Sequence, residues 1–374
     1  MRARDDTCRG GASVRGVAVA LTSDAYTVAD LQEVQDLFLQ RGWGDGFPVV
    51  PPTPGVVNRF VEASGLAAEQ VIGVIAEQAR EITLEKIAIN AVAAGCREEY
   101  MSVLVAAVRA LSREEFNLHS TTVSGATAPL LILSGPIVHQ ININTSFSLF
   151  GPGHHANATI GRAVRLLLQN VCGGVPGVLD KATFGHPGKF SYCIGESDSA
   201  NPWAPLHAEL GIDDDASAVT VFSGEGPINA RNDWASGPGP ILATIADAML
   251  PSHYTGGCFV VILGPMHAAT LHRAGLGKQD IREELCRRAS RSVADIKRAG
   301  RLPGPVVDAD ESEMRSAVRS PADIVLTVAG GNLYGYSVVI PPWVGGHESV
   351  PVTEALSVEE AGRCQLVTKG EPDD

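Results

Sequence analysis

The chain has 374 residues with a formal net charge of −13, is 45% hydrophobic but only 19% charged, and carries 40 glycines. An acidic chain without a lysine- and arginine-rich cluster interleaved with aromatics offers no footprint for a nucleic-acid backbone. No apolar run approaches the roughly 20 residues that cross a bilayer, so a membrane partner is not expected. Seven widely spaced cysteines with no C-x-x-C pair argue against a disulfide framework or a zinc knuckle, and fit reduced thiols in a cytoplasm.

Residues 1–26 read as a disordered tail, because the apolar piece Val17–Leu21 is too short for a secretory core. A first helix is expected from Thr27 as N-cap, with Val28, Leu31, Val34, Leu37 and Phe38 at helical spacing, and it stops at Gly42. The following stretch, Trp43-Gly44-Asp45-Gly46-Phe47-Pro48-Val49-Val50-Pro51-Pro52-Thr53, has paired glycines and prolines that impose a fixed, non-helical path. Thr53-Pro54 opens a second helix through Phe60. Helices are further expected at Thr83–Ala94, with Gly95 just past its end, and at Glu98–Leu111, so residues 27–120 form a helical N-terminal portion.

From residue 128 the pattern changes to short apolar runs that end in Gly-Pro or Gly-Gly: Leu130–Pro136, Val219–Pro227, Phe259–Pro265 and Ile324–Gly331. Such runs are buried strands breaking into turns. Helical patterns between them, at Thr159–Val171, Ile241–Leu250 and Asp280–Val293, predict an α/β core over 121–352. Its sheet is expected to be mixed, at least partly parallel, and flanked by helices. Residues 353–374 read as a C-terminal tail.

The segment densest in chemistry is Gly185–His207, GHPGKFSYCIGESDSANPWAPLH. A strand over Phe190–Ile194 sets Cys193 on the face opposite Tyr192, near loop groups that could activate a thiol. His186 and Lys189 are the candidates for lowering its pKa and moving its proton, and Glu196 for general acid or base. A packed, structural Cys193 is an equal alternative. Cys96, at the junction of two helices beside Arg97, is a second thiol of interest, with small-residue packing as the blander alternative. Gly151–Arg162 is a glycine-bearing loop running into a helix capped by Asn157 or Thr159; it matches neither a dinucleotide fingerprint nor a P-loop.

Substrate-binding candidates are Trp43 and Asp45 in the first loop, Asn157, Asn201, Trp203, and His267 after a Gly-Pro turn. No H-x-x-x-H or H-E-x-x-H motif is present. A metal could still assemble from dispersed residues such as His154, His207 and Glu225, although no motif demands any cofactor.

Four segments, in order, resemble a family of bacterial proteins: Asp45–Thr53 (DGFPVVPPT), Ala88–Tyr100 (ending AGCREEY), Ala156–Ala163 (ANATIGRA) and Gly185–Trp203 (GHPGKFSYC…E…PW). The resemblance spans residues 27–350. It implies an association with small selenocysteine- or cysteine-containing proteins bearing a U/C-Gly-Ser-Cys motif. This chain has no Cys-Gly-Ser-Cys, so such a redox centre would come from a partner in trans. The resemblance carries no reaction.

These features together predict an enzyme, an oxidoreductase or lyase rather than a hydrolase. It would transform a small anionic or carbonyl-containing molecule by cysteine-dependent redox or bond-cleaving chemistry. The alternatives are a metal-assisted hydrolase or lyase, and a non-catalytic subunit of a redox complex; homo-oligomerisation is left open.

Overall fold

The computed structural model describes residues 21–119, 126–250, 256–343 and 348–357. The expected N-terminal tail lies almost wholly outside these residues. The α/β expectation holds, with flanking helices and two four-stranded sheets that each mix one parallel pairing with antiparallel ones. No helix among the described residues is long and apolar enough to cross a membrane.

In chain order the N-terminal portion contributes α1 (Leu31–Arg41), α2 (Pro54–Ser64), a small hairpin of β1 (Val71–Ile75) and β2 (Arg80–Thr83), α3 (Leu84–Ala94) and α4 (Met101–Leu111). Asp30, not Thr27, caps α1, its side chain accepting from the Glu33 N–H. Gly42 and Gly95 close α1 and α3 in the left-handed conformation, as the sequence required. The next elements are β3 (Ala128–Ser134), the single turn α5 (Ile137–Gln140), α6 (His155–Asn170), β4 (Cys193–Gly195), the short α7 (Leu206–Glu209), β5 (Ala218–Gly224) and β6 (Ile228–Arg231). The chain then forms α8 (Pro238–Met249), β7 (Phe259–Leu263), α9 (Pro265–Arg273), α10 (Lys278–Arg288), β8 (Ser290–Ser292) with α11 (Val293–Arg298), and α12 (Asp308–Ser312) with β9 (Met314–Ser316). It closes with β10 (Ile324–Val328), β11 (Tyr336–Ile340) and β12 (Val352–Ala355). The tail expected from residue 353 therefore starts inside a strand.

Two four-stranded sheets, in the orders β12-β5-β3-β4 and β10-β7-β11-β6, pack face to face between helical layers. Strand alternation explains the layering. Leu130, Ile132, Ile194 and Phe222 of the first sheet meet Val260, Ile262 and Ile340 of the second between the sheets. Their neighbours Leu131, Leu133, Cys193, Val219 and Val221 face the N-terminal helices, while Phe259, Val261, Leu263, Leu326 and Val328 face the α8/α10 side. A strand covered on both faces has no polar side, which is why these runs read as continuous apolar segments.

The two sheets repeat one topology. Leu133 pairs with Gly195 in parallel and with Val219 antiparallel; Leu263 pairs with Val328 in parallel and with Ser337 antiparallel. Carried along the strands, this register places β12 on β5 as β6 lies on β11: Val352–Ala355 pair with Val221–Ala218, and Ile228–Arg231 with Val339–Tyr336. Each half thus gives its last strand to the other half's sheet. The bridge between Gly224 and Pro342 joins two residues that correspond to each other, so a local two-fold axis passes there. The recurrent Gly-Pro punctuation marks this repetition, with β3 and β7 as equivalents.

The helices follow the same repeat. α4 packs on β5 and β12 as α8 packs on β11 and β6, and α6 covers β3 and β4 as α10 covers β10. Among the described residues the first half carries an outer tier without a counterpart in the second, in which α3 packs against α6 and α2 against α3.

Candidate functional site

The first-loop segment, the α3–α4 junction, the α6 start and the Gly185–Tyr192 segment come together around α6. The Trp43–Thr53 loop lies along α6 in the opposite direction. Gln169 Nε2 donates to the Gly42 and Gly44 carbonyls (2.8 and 2.9 Å) and Asn170 Nδ2 to that of Trp43 (3.0 Å). Two turns towards the helix start, Arg162 grips Asp45 with two hydrogen bonds (2.7 and 2.9 Å) and also donates to the Phe47 and Pro48 carbonyls. The Asp45 side chain is only 3% exposed, so this charge pair is a buried structural clamp.

Nearer the start of α6, the Cys96 thiol donates to the Thr159 carbonyl (3.3 Å), and the Tyr100 hydroxyl meets His155 Nδ1 (3.2 Å). On the sheet side, Asn157 Nδ2 donates to the Cys193 carbonyl (3.1 Å) and Ser191 Oγ to the Asn157 carbonyl (2.9 Å). Gly161 lets the helix approach this closely, because a Cβ there would stand 2.4 Å from Ser191 Oγ and 2.5 Å from the Tyr192 amide. Phe47 and Phe190 close the ring of contacts edge to face, 5.1 Å apart.

On the outer side of this cluster lies a groove of about 460 Å³ between α2 and the α3–α4 junction. Its apolar wall is Val50, Val56, Phe60 and Val92; its polar rim includes Arg59, Arg97, Glu98 and Glu99, with Cys96 at the junction. Arg59 pairs with Glu98 (2.6 Å) and Arg97 with Glu99 (3.6 Å), all four well exposed. Burial pushes the Cys96 thiol up to about 12, against the pull of the Arg162 charge, so it rests protonated. Burial likewise raises Tyr100 to about 12, and Tyr100 lies within electrostatic reach of Cys96 and Arg97.

The expected catalytic quartet is not assembled. Cys193 is buried, 5% exposed, on the helix-facing side of the first sheet, and burial, followed by the nearby Cys96, drives its pKa well above the usual thiol range. His186 packs edge-on against Tyr192, whose ring belongs to the core between the sheets, so strand alternation puts the imidazole on the other face from Cys193. The His186 ring accepts from the Gly188 amide at Nδ1 (3.1 Å) and faces the Gly224 carbonyl through Nε2 (3.2 Å), which fixes a neutral tautomer. Desolvation lowers its pKa. Lys189 is held by both oxygens of Asp180 at 2.8 Å.

Glu196 lies beyond the end of β4, where the halves meet. Its carboxylate accepts from Asn201 Nδ2 (3.0 Å), Thr327 Oγ1 (3.0 Å) and the Leu206 amide (2.7 Å). At 3% exposed it is a structural tie to β10, with its pKa raised chiefly by burial.

The substrate-binding candidates are likewise held in structural contacts, Asn157 and His267 among them buried. Asn157 is inside the first turn of α6 rather than its cap, and its amide is consumed by Asn144 and Cys193. Asn201 serves Glu196 and the Trp203 amide; Trp203 Nε1 donates to the Leu276 carbonyl on the far half. His267 is 2% exposed, with Ser337 Oγ on one ring nitrogen and the Asn232 carbonyl on the other. Trp43 is half-buried between Tyr26 and Phe38, with the Arg41 guanidinium over its ring. His154 precedes α6, His207 is buried near the Asp214 carbonyl, and Glu225 follows β5; among the described residues no three His, Cys, Asp or Glu side chains gather as a metal site.

Arg59, Tyr100 and His155 were not singled out by the sequence. The cue for Tyr100 and Arg97 was their place in the AGCREEY junction; for Arg59, on an ordinary amphipathic helix, there was none. No protein-family model matches the chain, and no curated protein matches it.

Proposed function

We propose that the protein is an enzyme that binds a small molecule in the groove between α2 and the α3–α4 junction and acts on it through the Cys96 thiol. The observation that carries this reading is the convergence of four distant segments on α6 beside the groove, with the largely buried Cys96 lining that groove while Cys193 is enclosed in the core. The same lacing that ties the first loop to α6 fixes the helix against which the Cys96 thiol is held by the Thr159 carbonyl.

The groove suits a molecule with an apolar body, resting on Val50, Val56, Phe60 and Val92, and a polar end facing Arg59 and Arg97. A carbonyl or carboxylate group is the polar end that guanidinium groups recognise best. The thiol is protonated at rest, so attack on a carbonyl carbon requires its proton to leave. Tyr100, four residues after Cys96 and hydrogen-bonded to His155 at the start of α6, is the candidate acid–base pair for that proton. A partner protein bearing the U/C-Gly-Ser-Cys motif, as the resemblance implies, would enter in its disulfide or selenenylsulfide form. The Cys96 thiolate would attack one of the two bonded atoms to give a mixed disulfide or selenenylsulfide and release the other as a free thiol or selenol, and co-purification tests that extension.

Iodoacetamide labelling with peptide mapping should modify Cys96 well before Cys193, and a groove ligand found by thermal-shift screening of carbonyl and carboxylate compounds should slow it. Cys96→Ala should lower turnover of such a compound by at least about 100-fold. Full turnover in that variant, or labelling of Cys193 first, overturns the reading.

A further inference from the structure

Apart from the groove, Arg165, Asp180 and Lys189 meet at a cleft between α6 and the Gly177–Lys189 loop. Lys189 Nζ lies 2.8 Å from both Asp180 oxygens, and Arg165 Nη1 lies 3.5 Å from Oδ2. The side chains are 17%, 7% and 13% exposed for Lys189, Asp180 and Arg165. One carboxylate thus answers two largely buried cations, and one positive charge is left over.

The shortfall is on Arg165. A guanidinium offers five N–H donors in a fixed fork, yet among the described residues this one makes only the long ion pair with Asp180 and no hydrogen bond. Desolvation accordingly lowers its pKa, opposed by Asp180 and Asp45. Its neighbours do better: Arg162, one turn earlier on α6, has acceptors at Asp45, Phe47 and Pro48. The cleft that Arg165 lines with Lys189, Gly188, Gly161, Pro129 and Thr127 has a volume of about 20 Å³, enough for one body the size of a water.

We propose that this cleft binds one small monovalent anion of halide size, held by the Arg165 guanidinium and the excess positive charge of the Lys189–Asp180 pair. Two features select such a ligand: the single uncompensated charge excludes divalent anions, and the volume excludes anything larger than a few atoms. The bound anion ties the Gly177–Lys189 loop to α6, which gives Lys189 a role in binding rather than in proton transfer. The site does not depend on the groove chemistry.

The full chain is tested by melting in sodium chloride, sodium bromide and sodium gluconate at equal ionic strength. Halide at a large excess over its dissociation constant should raise the melting temperature by several degrees over gluconate, since a ligand that binds only the native state stabilises by mass action. Crystals soaked in bromide should show an anomalous peak within hydrogen-bonding distance of Arg165. Arg165→Gln should abolish the halide increment, judged within the variant's own salt series. Equal melting in all three salts, or bromide peaks only elsewhere, overturns the proposal; if Arg165→Gln does not fold, the wild-type series and the bromide map decide it.

Discussion

Arg162 and Asp45 show how a polar residue that looks functional in sequence can be spent on architecture. Asp45 between glycines reads as a flexible carboxylate with close backbone approach, but its oxygens are closed on a guanidinium that is itself only 15% exposed. Asp45→Ala should therefore cost about 3–5 kcal/mol, because it leaves a buried cation unpaired; urea unfolding measures it, and a loss under about 1 kcal/mol would contradict the clamp. Glu196→Ala leaves three donors without an acceptor and should cost about 2–4 kcal/mol while leaving Cys96 alkylation unchanged. Altered Cys96 reactivity in that variant would return Glu196 to the site. His186 and His267 predict the acid limb of stability. Both are held neutral by burial, with pKa values below the 6.5 of a free imidazole. The unfolded chain takes up these protons as pH drops below about 6.5 and the fold does not, so their stabilisation is complete above that value and is lost as pH falls through the depressed folded values. Glu196, raised above 4.5, contributes the opposite slope. Urea midpoints should decline from about pH 6.5 to 5, and the decline should be shallower in His186→Asn; a flat profile in the parent chain refutes this.

At the scale of elements, glycine marks the close approaches. A Cβ on Gly135, just after β3, would lie 2.2 Å from the Ala216 carbonyl oxygen, and one on Gly264, just after β7, 2.2 Å from that of Tyr336. Equivalent strand ends in the two halves thus use the same device. Gly264→Ala and Gly161→Ala should each destabilise by about 2–4 kcal/mol, since backbone atoms must move, whereas Gly55→Ala, with open space around it, should be within about 0.5 kcal/mol of the parent. Thermal denaturation of the three variants checks the order. Helix signals held where they are local to the end they mark, as at Gly42, Gly95 and Pro54, but Thr27 and the Asn157/Thr159 pair do not cap their helices, whose N-cap positions are Asp30 and His154. β3, β5, β7 and β10 were legible for a related reason, as strands buried on both faces are apolar throughout. β6 and β12 were not, because four-residue edge strands such as INAR and VTEA carry no periodicity of their own and are defined by partners more than 100 residues away.

For the whole molecule, the exchanged strands have a thermodynamic consequence. Neither sheet is complete without a strand from the other half, and the layer between them is a core built from both halves. The chain should therefore unfold in one transition, with calorimetric and van't Hoff enthalpies in agreement; two resolved transitions would show that the halves are separable after all.

The amino-acid sequence by itself determined the alternation of apolar strands with helices, the layered α/β class, and the segments that matter, since Trp43–Thr53, Gly95–Tyr100, the α6 start and the Gly185–Tyr192 segment all reappear in one cluster. Those are local properties, set by side-chain volume, period and backbone preference. Which thiol faces a groove was settled only by tertiary structure. Cys193 and Cys96 both sit beside polar motif residues in sequence; strand pleating turns the first into a packed layer, and the junction after α3 leaves the second partly buried in the wall of a groove beside Arg97. Exposure of a side chain depends on what packs over it from distant parts of the chain, and that information is held in no single segment.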